Sequence, residues 1–295
     1  MAHIMQPGYM AAARIAEGGA AAWRLPPDAR CASIGRSLVH DTLTALRLPG
    51  DLVDTAVLTA SELATNALKH GLRPGPHAPV VPAELWIWGR TTPRPELVVA
   101  VFDGCRTAWP TARPDDLLAE HGKGLDIVRT VTGAWGAHRS RSRLGAGPGK
   151  AVWGAFPLGG PWRTATRPLT ASAAAQYLAA ALSARGVENV GHRHETRVSL
   201  VGIPLPGGDV LNVWARAEGF DFPEPGGARV HRPVADLQDV AEHLVCRVEE
   251  AQQAIKRPSS PLPPRGRRAT TDLRADARAS RGGSPARRGE VDGPG

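Results

Sequence analysis

The sequence predicts an α+β fold: a two-layer α/β sandwich with helices on one face of a mixed sheet, then a small α+β domain, then a basic tail. Three observations predict it. Two helical runs open the ordered part of the chain. Four strand-like runs follow, with one short helix among them. A turn-rich segment at 158–168 then separates this half from a second group of helices and strands. A chain of 295 residues can form two domains that each bury a core.

Residues 1–22 are rich in Ala, Gly and Met without a clear period and read as a flexible leader. After Pro26 and Pro27, Asp28 is a candidate N-cap. Ile34, Leu38, Val39, Leu43 and Leu46 then recur at helical spacing until Pro49 and Gly50 stop the run. A second candidate cap, Asp51, opens the strongest helical pattern in the chain. Its apolar face is Leu52, Val53, Ala56, Val57, Ala60, Leu63, Ala64, Ala67 and Leu68, and Gly71 ends it.

A Pro- and Gly-rich loop, Leu72 to Pro82, leads into AELWIWGR and ELVVAVFD, two runs with the length and residue types of an antiparallel strand pair. An irregular stretch from Asp103 to Glu120 precedes the glycine turn HGKGL and a short helix from Leu125 to about Thr132. The runs AWGAHRSRS and KAVWGAF complete the half, which spans 23–157. In the second half, 169–255, Thr170 caps an alanine-rich helix that stops at Gly186. Strand-like RVSLVGI and VLNVWARA follow, then a last helix with Leu237, Val240, Ala241, Leu244, Val245, Val248 and Ile255 on one face. Residues 256–295, rich in Pro, Arg, Gly and Ser, cannot bury enough apolar surface to order themselves and read as a disordered tail.

Net charge is +8, but ten basic residues against four acidic ones lie from Lys256 onward, so six of those eight charges belong to the tail. The folded part is near neutral, which argues against a polyanion as its main partner; the tail could touch nucleic acid weakly and non-specifically. Cys31, Cys105 and Cys246 stand far apart in no CxxC spacing, so neither a disulfide framework nor a zinc site is implied, and a cytoplasmic location fits. No apolar stretch is long enough for a membrane span and no secretion signal is legible. His192, His194, His231, His243 and Cys246 are spaced too irregularly to predict a metal. Trp86, Trp88, Trp135 and Trp153 all lie on strand-like runs, where sheet packing accounts for them.

Four features carry chemistry. Glu62 and Asn66, four residues apart on the second helix, stand about 40° apart round its axis and share a face, and His70 continues their line. A carboxylate there can orient or deprotonate an attacking hydroxyl, and an amide oxygen suits Mg²⁺. Asp103 ends a strand and is followed by Gly104, so a carboxylate able to accept from an exocyclic amine such as adenine's lies where the backbone can approach closely. Gly122, Lys123, Gly124 and Leu125 lead into a helix, whose first N–H groups and dipole favour phosphates. Finally, GAGPGKAVW carries Lys150 from a turn into a strand. Each feature alone is also what an amphipathic helix, a turn or a loop presents. The four in fixed order, on the element types each needs, are far more specific.

The order SELATNALKHG, VFDG, HGKGLDIV, GKAVW resembles the histidine-kinase-like ATPase domain of the GHKL superfamily, closest to the cytosolic anti-sigma-factor serine/threonine kinases, over about residues 23–157. The resemblance implies the Bergerat α/β sandwich and ATP and Mg²⁺ as cofactors. It implies Glu62 as catalytic base, Asn66 as Mg²⁺ ligand, Asp103 on adenine, and Gly122 and Gly124 at the phosphates. It also implies a sigma factor or an anti-anti-sigma-type protein as partner, with phosphoryl transfer to the latter, and the homodimerisation common among relatives. Two departures stand out: Cys105 and Arg106 follow Gly104 where a further glycine is usual, and Ala151 stands where a threonine often helps bind adenine. They motivate an alternative, a binding module that sequesters a partner and transfers nothing. His40 and Asp41 suggest a sensor histidine kinase, the least favoured reading, because helix one reads as part of the sandwich itself.

Overall fold

The computed structural model describes residues 7–71, 81–110, 123–145, 147–160 and 169–256. The chain is mixed α+β, with six α-helices and two five-stranded sheets among these residues. Gly122, the 161–168 part of the linker, and the tail beyond Lys256 lie outside them. None of the helices described is long and apolar enough to cross a membrane.

The supposed leader is structured from residue 7 onward. It holds α1 (Pro7–Ala16) and β1 (Ala20–Arg24), with Ile15 fully buried and β1 paired antiparallel to the strand Glu84–Arg90. Its alanines lack the β-branched signature of a strand; Ala21 faces the helix-side core, and Ala20 and Ala22 pack on the reverse face of the sheet. Next come α2 (Cys31–Ala45) and α3 (Gly50–Asn66). Asp28 does not cap α2 directly; its carboxylate accepts the Arg30 N–H at 2.9 Å, one turn position before the helix. Asp51 sits in the first turn of α3, after Pro49 at the N-cap, where its charge suits the helix dipole.

The strands β2 (Glu84–Arg90), β3 (Glu96–Asp103), β4 (Ala134–Arg141) and β5 (Pro148–Pro157) complete the first sheet, with α4 (Lys123–Val131) between β3 and β4. Strand order is β1-β2-β3-β5-β4, and every neighbouring pair is antiparallel. The expectation of a mixed sheet is therefore corrected. The crossover through α4 makes β3 and β4 point the same way, but β5 folds back as a hairpin partner of β4 and inserts between them, so the parallel strands never pair.

Alternation sorts the two faces. Leu85, Ile87, Leu97, Val99, Val101, Val152 and Phe156 pack under the helices, while Trp86, Trp88, Val98, Ala100, Phe102, Ala151 and Ala155 form a cluster on the reverse face. That second face is also covered, which a two-layer sandwich with helices on one face does not include. Its cover is α6 (Leu237–Lys256), from the C-terminal half.

The C-terminal half has its own apolar core. Thr170 caps α5 (Ala171–Ala184) by accepting the Ala173 N–H at 3.1 Å, and Gly186, at φ +73°, ends it with the Val187 N–H returning to Leu182. The sheet is a meander of β6 (Gly191–His194), β7 (Ser199–Pro204), β8 (Val210–Ala215), β9 (Gly219–Pro223) and β10 (Arg229–Pro233). Its inner face, Val201, Ile203, Leu211, Val213, Phe220 and Phe222, packs with α5 and the apolar stripe of α6. The polar stripe of α6 is left to meet the first sheet.

Candidate functional site

Helix α3 presents Glu62 and Asn66 side by side at its C-terminal end, both partly exposed, while Leu63, Ala64 and Ala67 anchor the other side of the helix in the core. The chain then widens into a π-helical turn, Ala67–Gly71, that carries the exposed His70. Such widened turns recur at functional positions because they re-aim side chains.

Two glycines sit at close approaches. At Gly124, in the first turn of α4, a Cβ would run into Glu62 Oε2 and come within 3.8 Å of Asn66 Nδ2. The first turn of α4 therefore lies against the Glu62 and Asn66 pair. At Gly71, a Cβ would lie 2.5 Å from Asp103 Cγ. The end of the π-turn thus sits directly on the Asp103 carboxyl group. Through these two contacts α3, α4 and the end of β3 share one neighbourhood. Leu125 packs partly buried against the core behind it, and Lys123 begins α4.

Asp103 is almost wholly buried. Its Oδ1 accepts the Lys150 ammonium at 2.6 Å and the Cys105 N–H at 2.9 Å, and Lys150 also donates to the Cys105 carbonyl at 3.1 Å. Burial pushes the Asp103 carboxyl above its ordinary range, against the opposing pull of Lys150 and His70. Lys150 is therefore the internal counter-ion of Asp103, at the far end from Glu62.

The register explains why. Lys150 pairs with Asp103 across β3 and β5, and Ala151 pairs with Phe102, so Lys150 shares the face of Asp103 while Ala151 points into the Trp86 and Phe102 cluster on the reverse face. The β5 residue that touches Asp103 is Lys150.

The donors suit Mg²⁺ of the kind that arrives with a nucleotide. The buried Asn66 Nδ2 has no hydrogen-bond partner among the described residues, the amide stands beside a carboxylate, and a helix N-terminus adjoins both. Among the described residues no three His, Cys, Asp or Glu side chains converge as a metal cage. An amide oxygen from Asn66, completed by oxygens from a ligand and by water, would suit Mg²⁺, which leaves the Glu62 carboxylate free to act as a base.

No family model and no curated protein matches the chain. What the site can do rests on its own residues.

A second set of polar residues escaped sequence reasoning altogether. The polar stripe of α6 is buried against the first sheet. Glu242 accepts from His138 at 2.8 Å and Ser140 at 2.5 Å and pairs with Arg185 and Arg143. Asp239 accepts the Trp88 indole N–H, and Asp236, just before α6, accepts the N–H groups of Thr91 and Thr92 in the β2–β3 turn. Arg143 and Arg185 lie over the Trp86 ring at 5.1 and 5.0 Å. Burial pushes the Glu242 carboxyl up, but Arg185, His138 and Arg143 outweigh it and hold it well below its ordinary range. Burial and the neighbouring Arg185 bring Arg143 down to about 10. The only sequence signal was the acidic spacing of Asp239, Glu242 and Glu249 on one helix, which an ordinary solvated stripe also shows.

Proposed function

We propose that residues 23–157 form a Bergerat-type ATPase domain and that the chain is a cytosolic ATP-binding regulatory protein, transferring the γ-phosphate to a serine or threonine of a partner in the manner of anti-sigma kinases. The observation that carries this reading is the meeting of Gly124 with Glu62 and Asn66, which puts the first turn of a helix, a carboxylate and an amide side chain in one place. In that reading Glu62 takes the proton of the attacking hydroxyl as its oxygen bonds to the γ-phosphorus, the bond to the bridging oxygen breaks, and ADP leaves. Asn66 holds Mg²⁺, which when bound neutralises phosphate charge. The first-turn N–H groups of α4, with Gly122 and Gly124, receive the phosphates, and Asp103 faces the adenine amine. The partner is a sigma factor, an anti-anti-sigma-type protein, or both.

Incubation with labelled ATP, Mg²⁺ and candidate antagonist proteins tests it. Label is expected on the antagonist, and Glu62→Ala is expected to slow transfer by roughly 10²–10⁴-fold. Equal labelling by both proteins removes Glu62 from the role of base.

One observation favours a second reading, a partner-sequestering module without transfer: Asp103 Oδ1 is already satisfied by Lys150 and Cys105. A carboxylate with an internal cation has less left to offer adenine. A folded protein that shows no ATP binding at millimolar nucleotide decides for this alternative.

A further inference from the structure

We propose that Glu249 of α6 is a positioning residue for the loop Gly104–Arg106, so that the C-terminal half sets the shape of the adenine-side edge. That this edge borders a nucleotide rests on the reading above; the clamp itself does not.

Glu249 is fully buried, and its two oxygens are divided between different elements. Oε1 accepts from Arg141 Nη1 of β4 at 2.8 Å. Oε2 stands 2.8 Å from Arg106 Nη2, a charge contact without hydrogen-bond alignment. Arg106 lies three residues beyond Asp103, in the same loop whose Cys105 N–H and carbonyl are taken by Asp103 and Lys150. The loop is therefore gripped from both sides of the sheet: by Lys150 on the Asp103 face and by Glu249 from the α6 face.

Helix α6 is a firm reference for that grip. It and the turn before it are tied to the first sheet at Asp236, Asp239 and Glu242. Glu249 is the last of these carboxylates along the helix and the one that reaches the loop after β3. A buried ion pair returns little net stability, because desolvation offsets its attraction. What it fixes is direction. With the Glu249 charge gone, Arg106 loses its buried anchor and the Gly104–Arg106 loop loses one of its two holds, while Asp103 and Lys150 remain paired.

Cys105 is a reporter inside the loop that needs no nucleotide. It is partly exposed, whereas Cys31 is buried. Burial raises its thiol pKa, but N–H groups of Ala108 and Thr107 and the charge of Lys150 bring it below the ordinary value. The test is pulse alkylation of the full chain with iodoacetamide, read by peptide mass at each cysteine, for wild type, Glu249→Gln and Arg106→Gln. Because Arg106 is a quarter exposed, its substitution keeps the test open if loss of the buried Glu249 charge prevents folding.

Cys105 labelling is expected to rise roughly fivefold or more in both variants. Arg106→Gln is expected to keep the wild-type urea midpoint, which separates a local release from general destabilisation. Unchanged Cys105 labelling in the folded variants overturns the clamp. ATP titration of the same proteins separates the two claims. Weaker binding in the variants supports the positioning role; faster labelling with wild-type ATP affinity overturns it. A wild type that binds no ATP, with faster labelling in the variants, leaves the clamp standing and removes the nucleotide reading.

Discussion

Lys150 Nζ meets Asp103 Oδ1 at 2.6 Å directly across the β3–β5 register, with both side chains at most 5% exposed. The pair closes one end of the candidate site, and its charges compensate each other out of water. Removing one partner leaves the other stranded in a poorly hydrated place.

Lys150→Met is therefore expected to destabilise the protein by about 3–5 kcal/mol at neutral pH. The Asp103 carboxyl is already raised by burial and rises further without its cation. A carboxyl with a raised folded pKa favours folding most when protonated, so the loss should shrink as pH falls through that raised value and be fullest above it. Urea unfolding of both proteins across a pH series measures this. A difference in stability that is the same at every pH contradicts it.

Gly124→Ala separates function from stability. The added Cβ meets only the far end of the Glu62 side chain, which can swing aside, and alanine suits a helix better than glycine by up to about 1 kcal/mol. Thermal stability is expected to hold or rise slightly. Transfer is expected to drop by roughly a hundredfold, because a displaced base is misaligned. Full activity in this variant would show that Glu62 does not work from this position.

Much of this arrangement was legible beforehand and some was not. The period of α3 placed Glu62 and Asn66 on one face, and the short runs before and after TTPRP gave the β2–β3 hairpin. Lys150 is 47 residues from Asp103, and only the register joins them. The faces of KAVWGAF are not legible in the sequence because β5 is covered on both sides: Ala151, Val152, Trp153, Ala155 and Phe156 form a near-continuous apolar run. The acids of α6 were hidden for the opposite reason. A polar stripe opposite an apolar one reads as solvated, and nothing local to 237–256 states that a second sheet covers it.

Glu242→Gln tests that covered stripe. Removing the charge leaves Arg185 and Arg143 beside an uncharged amide, and a loss of about 3–5 kcal/mol is expected. The folded pKa of Glu242 is depressed, so its contribution is present above the ordinary value of 4.5 and is lost as pH falls through the lower folded value. The gap between wild type and variant should stay constant from neutral pH to near 5 and close below it, as followed by circular dichroism at stepped pH. A gap that closes between pH 8 and pH 6 contradicts this account of the cluster.

The central claim is that the Glu62 and Asn66 face of α3, the start of α4 and Asp103 together hold ATP with Mg²⁺. Isothermal titration of ATP into wild type and Asn66→Ala, with and without Mg²⁺, tests it most directly. The account expects wild type to bind ATP more tightly with Mg²⁺ than without, and Asn66→Ala to lose that difference while remaining folded. A folded wild type that takes up no ATP, or an Asn66→Ala variant with the full Mg²⁺ effect, contradicts it.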